Sequence, residues 1–314
     1  MTSEPSTSAE AVIEFLNGIA DIFQEGANNP DEIDGLLQRL IALRPPEPVP
    51  AGLTARQAAE ARMAEAWESD HGPNLAVEAI RLWPGCADAY LFLAAAVDGS
   101  PLLSMALFTL ASEAATDILG DAYFVEHRGK CWQRPDTRTF MRAMEGVARS
   151  YLAAGALDLA ADHFAEMLTL NPNDDQGVRY PLTACLLEAQ NHEAVTQLLT
   201  MYDDGSPPRA YLLALAAFQR EGDAASSRTA LAAAISASQI MAQYLSGEKS
   251  FPQEALDLQV PPEIADAMVF ADLMAPAWEA TAGATDWLKR WMTPQGPRPA
   301  APSKERRSGP RNLE

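Results

Sequence analysis

Four arginines, Arg142, Arg149, Arg179 and Arg209, carry the clearest recognition chemistry in this chain. A guanidinium is planar, stays charged and meets a carboxylate with two parallel N–H donors. The surrounding sequence is acidic, with 43 Asp and Glu against 23 Lys and Arg and a formal net charge of −20. Bases are concentrated mid-chain: residues 126–149 hold 6 bases and 3 acids, whereas residues 1–125 hold 5 bases and 19 acids. Two partners compete for the arginines. One is an acidic or carboxylate-terminated protein or peptide. The other is the protein's own Glu145, Asp174 and Asp175.

A second cluster lies in the segment 119–136, where the helical period breaks and His127, Arg128 and Trp132 are followed by Arg138. Taken as 119–138, an insert rich in aromatic and basic residues can close as a lid over Arg128, Arg138 and Arg142, which is the arrangement of an enzyme or a small-anion sensor. Its aromatics, Tyr123, Phe124 and Trp132, argue for an ordered segment, with Trp132 as a plug beneath it. His127 and Cys131 have the types of a base and a nucleophile, but the sequence supplies no third orienting group and no oxyanion hole.

Other chemistries are excluded by spacing. His71, His127, His163 and His192 have no ligand spacing with one another or with Cys86, Cys131 and Cys185, so no metal site is expected. Asn171, Asn173, Asp174, Asp175 and Gln176 lack the distal glutamate of a calcium loop and read as a helix stop followed by an N-cap. No phosphate-binding glycine loop or hydrolase motif occurs, and no cofactor is expected. The negative charge repels nucleic acid and anionic membrane surfaces. No apolar run approaches the ~20 residues that cross a bilayer. The polar, acidic start and the isolated cysteines point to the cytoplasm.

The elements that position the arginines are repeated helix pairs. Ala160, Ala194 and Ser227 recur at 34 and 33 residues, the period of the tetratricopeptide repeat. In the first copy Gly155 marks the turn, Ala160 lets helices approach, Phe164 fills the gap and Pro172 stops the second helix. The second copy keeps Ala194 and Leu198 with Ala189 at the turn; the third keeps Gly222, Leu231 and Ala234. Counting from the small residue, the groove face carries Arg142, Glu145, Arg149 and Leu152, then Gln176, Arg179, Thr183 and Leu186, then Arg209, Leu212, Ala216 and Gln219.

Around this array the sequence predicts a helical pair over 1–44 acting as a cap, with an apolar stripe of Val12, Phe15, Leu16, Ile19, Ile22 and Phe23. A proline-rich linker follows over 45–53, then helix pairs over 54–292 with Thr54 as an N-cap, then a disordered basic tail over 293–314. The fold class is all-α, a right-handed superhelical solenoid of tetratricopeptide-like helix pairs.

Three blocks resemble a known family. HRGKCWQRPDTRTFMRA (His127–Ala143), LNPNDDQGVRY (Leu170–Tyr180) and YLSGEKSFP (Tyr244–Pro252) are similar to blocks of the suppression-of-tumorigenicity 7 family and its bacterial tetratricopeptide relatives. The resemblance covers roughly residues 120–252. Thr139 stands in place of the family proline, Met144 in place of its second arginine and Asp175 in place of an asparagine. The resemblance implies the fold and an interaction role, and no activity. Eukaryotic members carry membrane spans that this sequence lacks. The function expected is protein–protein interaction through the concave repeat face, as a scaffold or adaptor rather than a catalyst.

Overall fold

The computed structural model describes residues 49–96, 101–251 and 261–292. The expected cap over 1–44 and the tail over 293–314 lie outside the described residues, as do residues 45–48 of the linker. Among the described residues there are fourteen α-helices and no strand. They fall into two compact units, one up to Leu182 and one from Thr183.

The first unit is built from α1 (Ala55–Ala66), α2 (Gly72–Leu82), α3 (Ala87–Ala96), α4 (Pro101–Leu119), the short α5 (Asp121–Glu126), α6 (Arg138–Ala153) and α7 (Leu157–Leu170). Thr54 opens α1 through a reciprocal capping box: its hydroxyl accepts from the Gln57 N–H, and Gln57 reaches back to the Thr54 N–H. Each long helix packs against its neighbour in sequence, and α3 and α4 both pack on α6. Alanine makes this possible. Ala58, Ala59, Ala76, Ala79, Ala89, Ala111 and Ala143 are buried and let the helix axes approach, while Tyr90, Leu93, Leu103 and Leu107 fill the spaces between them.

The second unit holds α9 (His192–Met201), α10 (Pro207–Glu221), α11 (Ala225–Ala237), α12 (Gln239–Leu245), α13 (Pro262–Ala280) and α14 (Ala284–Met292). The division between the units falls in α8 (Arg179–Glu188). The core of the second unit is aromatic. Trp278 and Trp287 are fully buried and stack at 6.5 Å, and Tyr211 meets Trp278 edge-on at 6.3 Å. The Tyr211 hydroxyl donates to the Ser238 carbonyl at 2.7 Å, which satisfies the polar end of a buried ring.

The positions counted from the expected repeat fall in a different register in the middle helix pair. Gly155, Gln190 and Gly222 stand at the turns with positive φ of 73°, 56° and 64°; Ala156 and Asn191 close the first two turns by donating to the carbonyls of Tyr151 and Leu186, whereas Gly222, with ψ of −148°, makes a different turn. Five and nine residues on, the buried pairs are Ala160 and Phe164, Val195 and Leu199, and Ser227 and Leu231. The steps from Ala160 to Val195 and on to Ser227 are therefore 35 and 32 residues. Ala194 and Leu198 are only partly buried. The turn residue of the middle copy is Gln190, a type that gives no turn signal, and Ala189 sits one place early.

The insert also differs from an irregular segment. It contains α5 and two 3₁₀ turns, Cys131–Gln133 and Pro135–Thr137. Phe124 packs on Phe140 of α6 at 4.4 Å, and Arg128 pairs with Glu166 of α7 at 3.1 Å. The residue buried beneath the insert is Cys131, while Trp132 is only half-buried.

Candidate functional site

The first turn of α6 is fixed by Thr137. Its buried hydroxyl donates to the carbonyls of Cys131 and Arg134, so the two 3₁₀ turns are tied to the helix start. Beside it, the Tyr123 hydroxyl donates to Asp136 and accepts from Arg134 Nε at 2.5 Å. The Tyr123 hydroxyl and the Arg134 guanidinium hold the Asp136 carboxyl below the usual carboxylate range.

This scaffold sets Trp132 against α6. The Arg138 and Arg142 guanidinium carbons lie 5.9 and 6.0 Å from its ring centroid. Arg138 Nε also donates to the Trp132 carbonyl at 3.1 Å. The two arginines are one helical turn apart and exposed, and neither forms an ion pair among the described residues. An indole flanked by two such cations offers an apolar face and, with the Arg138 Nε–H already used, the remaining guanidinium N–H donors, a fit for a carboxylate with an adjoining apolar group.

Glu145 and Arg149 continue the same face of α6. Glu145 is shared: Arg149 bonds it at 2.8 Å, and Gln176 Nε2 bonds it at 2.8 Å while also donating to the Met141 carbonyl at 3.2 Å. Gln176 therefore clips the loop before α8 onto α6.

Arg179 is committed elsewhere. It pairs at 2.6 Å with Asp174, whose side chain is fully buried, and it lies 4.3 Å over the Tyr180 ring. Asp174 also accepts from the N–H groups of Val178 and Arg179 at 2.7 and 3.3 Å and so opens α8, the helix-stop-then-cap reading of that loop. Burial pushes the Asp174 carboxyl up from its ordinary value, against the lowering pull of Arg179 and the two N–H groups. In the second unit, Arg209 pairs with Asp203 at 3.0 Å and donates to the Leu199 carbonyl at 3.0 Å.

Of the four counted arginines, Arg149, Arg179 and Arg209 bind the protein's own carboxylates, two of which, Glu145 and Asp174, were the expected internal partners. Arg142 keeps its guanidinium for Trp132. Thr183, Leu212 and Ala216, counted onto the groove face, are buried in the core. Arg138, absent from the groove positions but grouped with Arg142 in the lid reading, lies beside Arg142 on Trp132. The four-residue step between them is visible in the sequence, but only the turn at Pro135 folds Trp132 back to meet both.

His127 and Cys131 do not form a base and a nucleophile. The Cys131 thiol meets the His127 carbonyl at 3.6 Å, and the imidazole Nδ1 lies 2.9 Å from the Tyr123 carbonyl. Burial pushes the thiol up from its ordinary value. No cluster of three or more His, Cys, Asp or Glu suited to a metal occurs among the described residues, and none of their helices is long and apolar enough to cross a membrane. No known protein-family model matches this sequence, and no curated protein is similar to it at a significant level.

Proposed function

We propose that the chain is a protein-interaction module of the cytoplasm, built as a right-handed solenoid of tetratricopeptide-like helix pairs and related to the suppression-of-tumorigenicity 7 family. Its partner is an acidic or carboxylate-terminated peptide that docks on α6 at Trp132, Arg138 and Arg142. The observation that carries this reading is the pair of exposed guanidiniums without a carboxylate partner among the described residues, in a protein of net charge −20. An acidic protein has many carboxylates with which to neutralise its arginines, as Arg128, Arg149 and Arg179 illustrate. The recurrence of a positive-φ turn residue followed five and nine residues on by buried side chains, in three successive helix pairs, supports the repeat architecture.

The test is a double charge reversal, Arg138→Glu with Arg142→Glu. Partners are captured on the wild-type protein from its native host and identified by mass spectrometry. The acidic segment of a captured partner is then titrated as a labelled peptide. The double variant is expected to melt like the wild type, because both side chains are exposed, and to bind the peptide at least about a hundredfold more weakly. Wild-type binding should weaken as salt rises, since exposed charges are screened over ~8 Å at physiological ionic strength. Unchanged affinity in the double variant removes α6 as the docking face.

A further inference from the structure

We infer that Tyr123 is a positioning residue for the docking face: through Arg134 and Asp136 it locks the hinge that holds the Trp132 ring against Arg138 and Arg142. The inference rests on the reading of α6 as that face. Tyr123 acts on Trp132 through the backbone between them and the partner peptide is met by the other three residues.

The hinge is Arg134. Trp132 lies in the first 3₁₀ turn, Cys131–Gln133, and Arg138 follows directly on the second, Pro135–Thr137. Arg134 stands between the turns with an extended backbone, φ of −96° and ψ of 124°. Backbone hydrogen bonds across it are long. Its N–H donates to the Cys131 carbonyl at 3.4 Å, and its carbonyl accepts from the Thr137 N–H at 3.3 Å. Strong bonds of this type are roughly 2.7–3.2 Å, so the backbone alone holds the joint weakly. Rotation there would carry the indole away from the two guanidiniums.

Side chains supply the missing ties. On the inside, the buried Thr137 hydroxyl reaches the carbonyls of Cys131 and Arg134. On the outside, the Tyr123 hydroxyl accepts from Arg134 Nε at 2.5 Å and donates to Asp136, so one oxygen joins the hinge to the second turn. A phenol can do both at once. Arg134 also pairs with Asp136 at 3.4 Å, and its guanidinium carbon lies 5.3 Å from the Tyr123 ring centroid. The ring is itself held. His127 stacks on it at 4.2 Å, with 22° between the planes, and the neighbouring Phe124 packs on Phe140 of α6 at 4.4 Å. Tyr123 is thus anchored to the helix that carries both arginines, while its hydroxyl grips the turns that carry the tryptophan.

The test uses the full chain labelled with fluorotryptophan, with the fluorine resonance of Trp132 assigned by its loss in Trp132→Phe. Docking is followed with a fluorescein-labelled Glu-Leu-Glu-Glu peptide. Tyr123→Phe keeps the ring and its stacking and removes only the hydroxyl. In that variant the Trp132 resonance should shift or broaden while those of the other tryptophans stay in place. Peptide affinity should fall about three- to tenfold, the cost of ordering one side chain on binding. The melting temperature should barely change, because the lost bonds are at the surface. Asp136→Ala removes the same tie from its other end, so it should move the same resonance, and the double variant should add little to either single one. A Trp132 resonance that is unmoved in Tyr123→Phe overturns the inference. So does a moved resonance with unchanged peptide affinity, or additive effects in the double variant. A wild-type chain that binds no acidic peptide overturns the docking reading instead, and the two failures are told apart because the resonance needs no ligand.

Discussion

Gly146 of α6 lies against the ring of Phe108 of α4, and a Cβ on the glycine would overlap the ring. A glycine inside a helix is normally a weakness, because alanine is favoured there by about 0.8–1 kcal/mol. Here the missing side chain is what lets α4 and α6 pack. Gly146→Ala should therefore destabilise the protein, by about 1–3 kcal/mol as in other overpacked cores, despite its better propensity. Phe108→Leu in the same chain should recover part of the loss. Thermal and urea denaturation of the two single variants and the double variant decide the matter. An alanine variant as stable as the wild type would mean the two helices can separate freely.

Gln190 sits at the kind of turn that Gly155 makes after α6, with a φ of 56°. A side chain in that conformation costs roughly 1–2 kcal/mol. Glycine removes the strain and gives back part of it as unfolded-state entropy. Gln190→Gly is expected to raise stability by up to about 1 kcal/mol. Ala189→Gly, at the position suggested by the spacing, should lower it. Melting temperatures of the two variants distinguish the registers directly.

Asp174 is also left-handed, at 53°, yet glycine should fail there, because its carboxylate opens α8 and holds Arg179. Arg179→Ala leaves that buried carboxylate without its cation and should cost about 3 kcal/mol near neutral pH. Arg149→Ala, at an exposed pair, should cost less than about 1 kcal/mol. The sign with pH is definite. Burial already raises the Asp174 carboxyl, and removing Arg179 raises it further. A group with a raised folded-state value contributes its stability below its unfolded value and loses it as pH rises. The deficit of Arg179→Ala should therefore shrink as the pH is lowered from 7 to about 4.5 and widen again on return.

Asp223 behaves in the opposite sense. Arg228, at 2.7 Å, is the main influence holding its carboxyl below the ordinary value, helped by the indole N–H of the buried Trp287 at 2.8 Å. Its contribution is present above the ordinary carboxylate value of about 4 and is lost as pH falls through the lowered value. Asp223→Asn should be less stable than the wild type at pH 7, and the gap in melting temperature should close below about pH 3. A gap independent of pH would assign the effect to the Trp287 hydrogen bond alone.

The sequence by itself determined the helices and the residues that punctuate them. Periodic apolar positions, the Thr54 cap, Gly155, Gly222 and the stop at Pro172 act through a few neighbouring residues, so their meaning survives without a fold. It also identified Glu145 and Asp174 as candidate internal partners, because close sequence neighbours on a helix or in its capping loop are already close in space. Only tertiary structure decided the rest. The turn at Gln190 is paid for by the packing of Val195 and Leu199, which no local signal reports. Ser227 reads as a small residue, yet its buried hydroxyl donates to the Gly222 carbonyl at 2.6 Å and accepts from the Ala224 N–H at 2.9 Å. Trp132 meets Arg138 and Arg142 because two 3₁₀ turns fold the insert back on α6. Such juxtapositions are set by packing summed over whole helices, and a linear sequence does not record which of its distant parts that packing brings together.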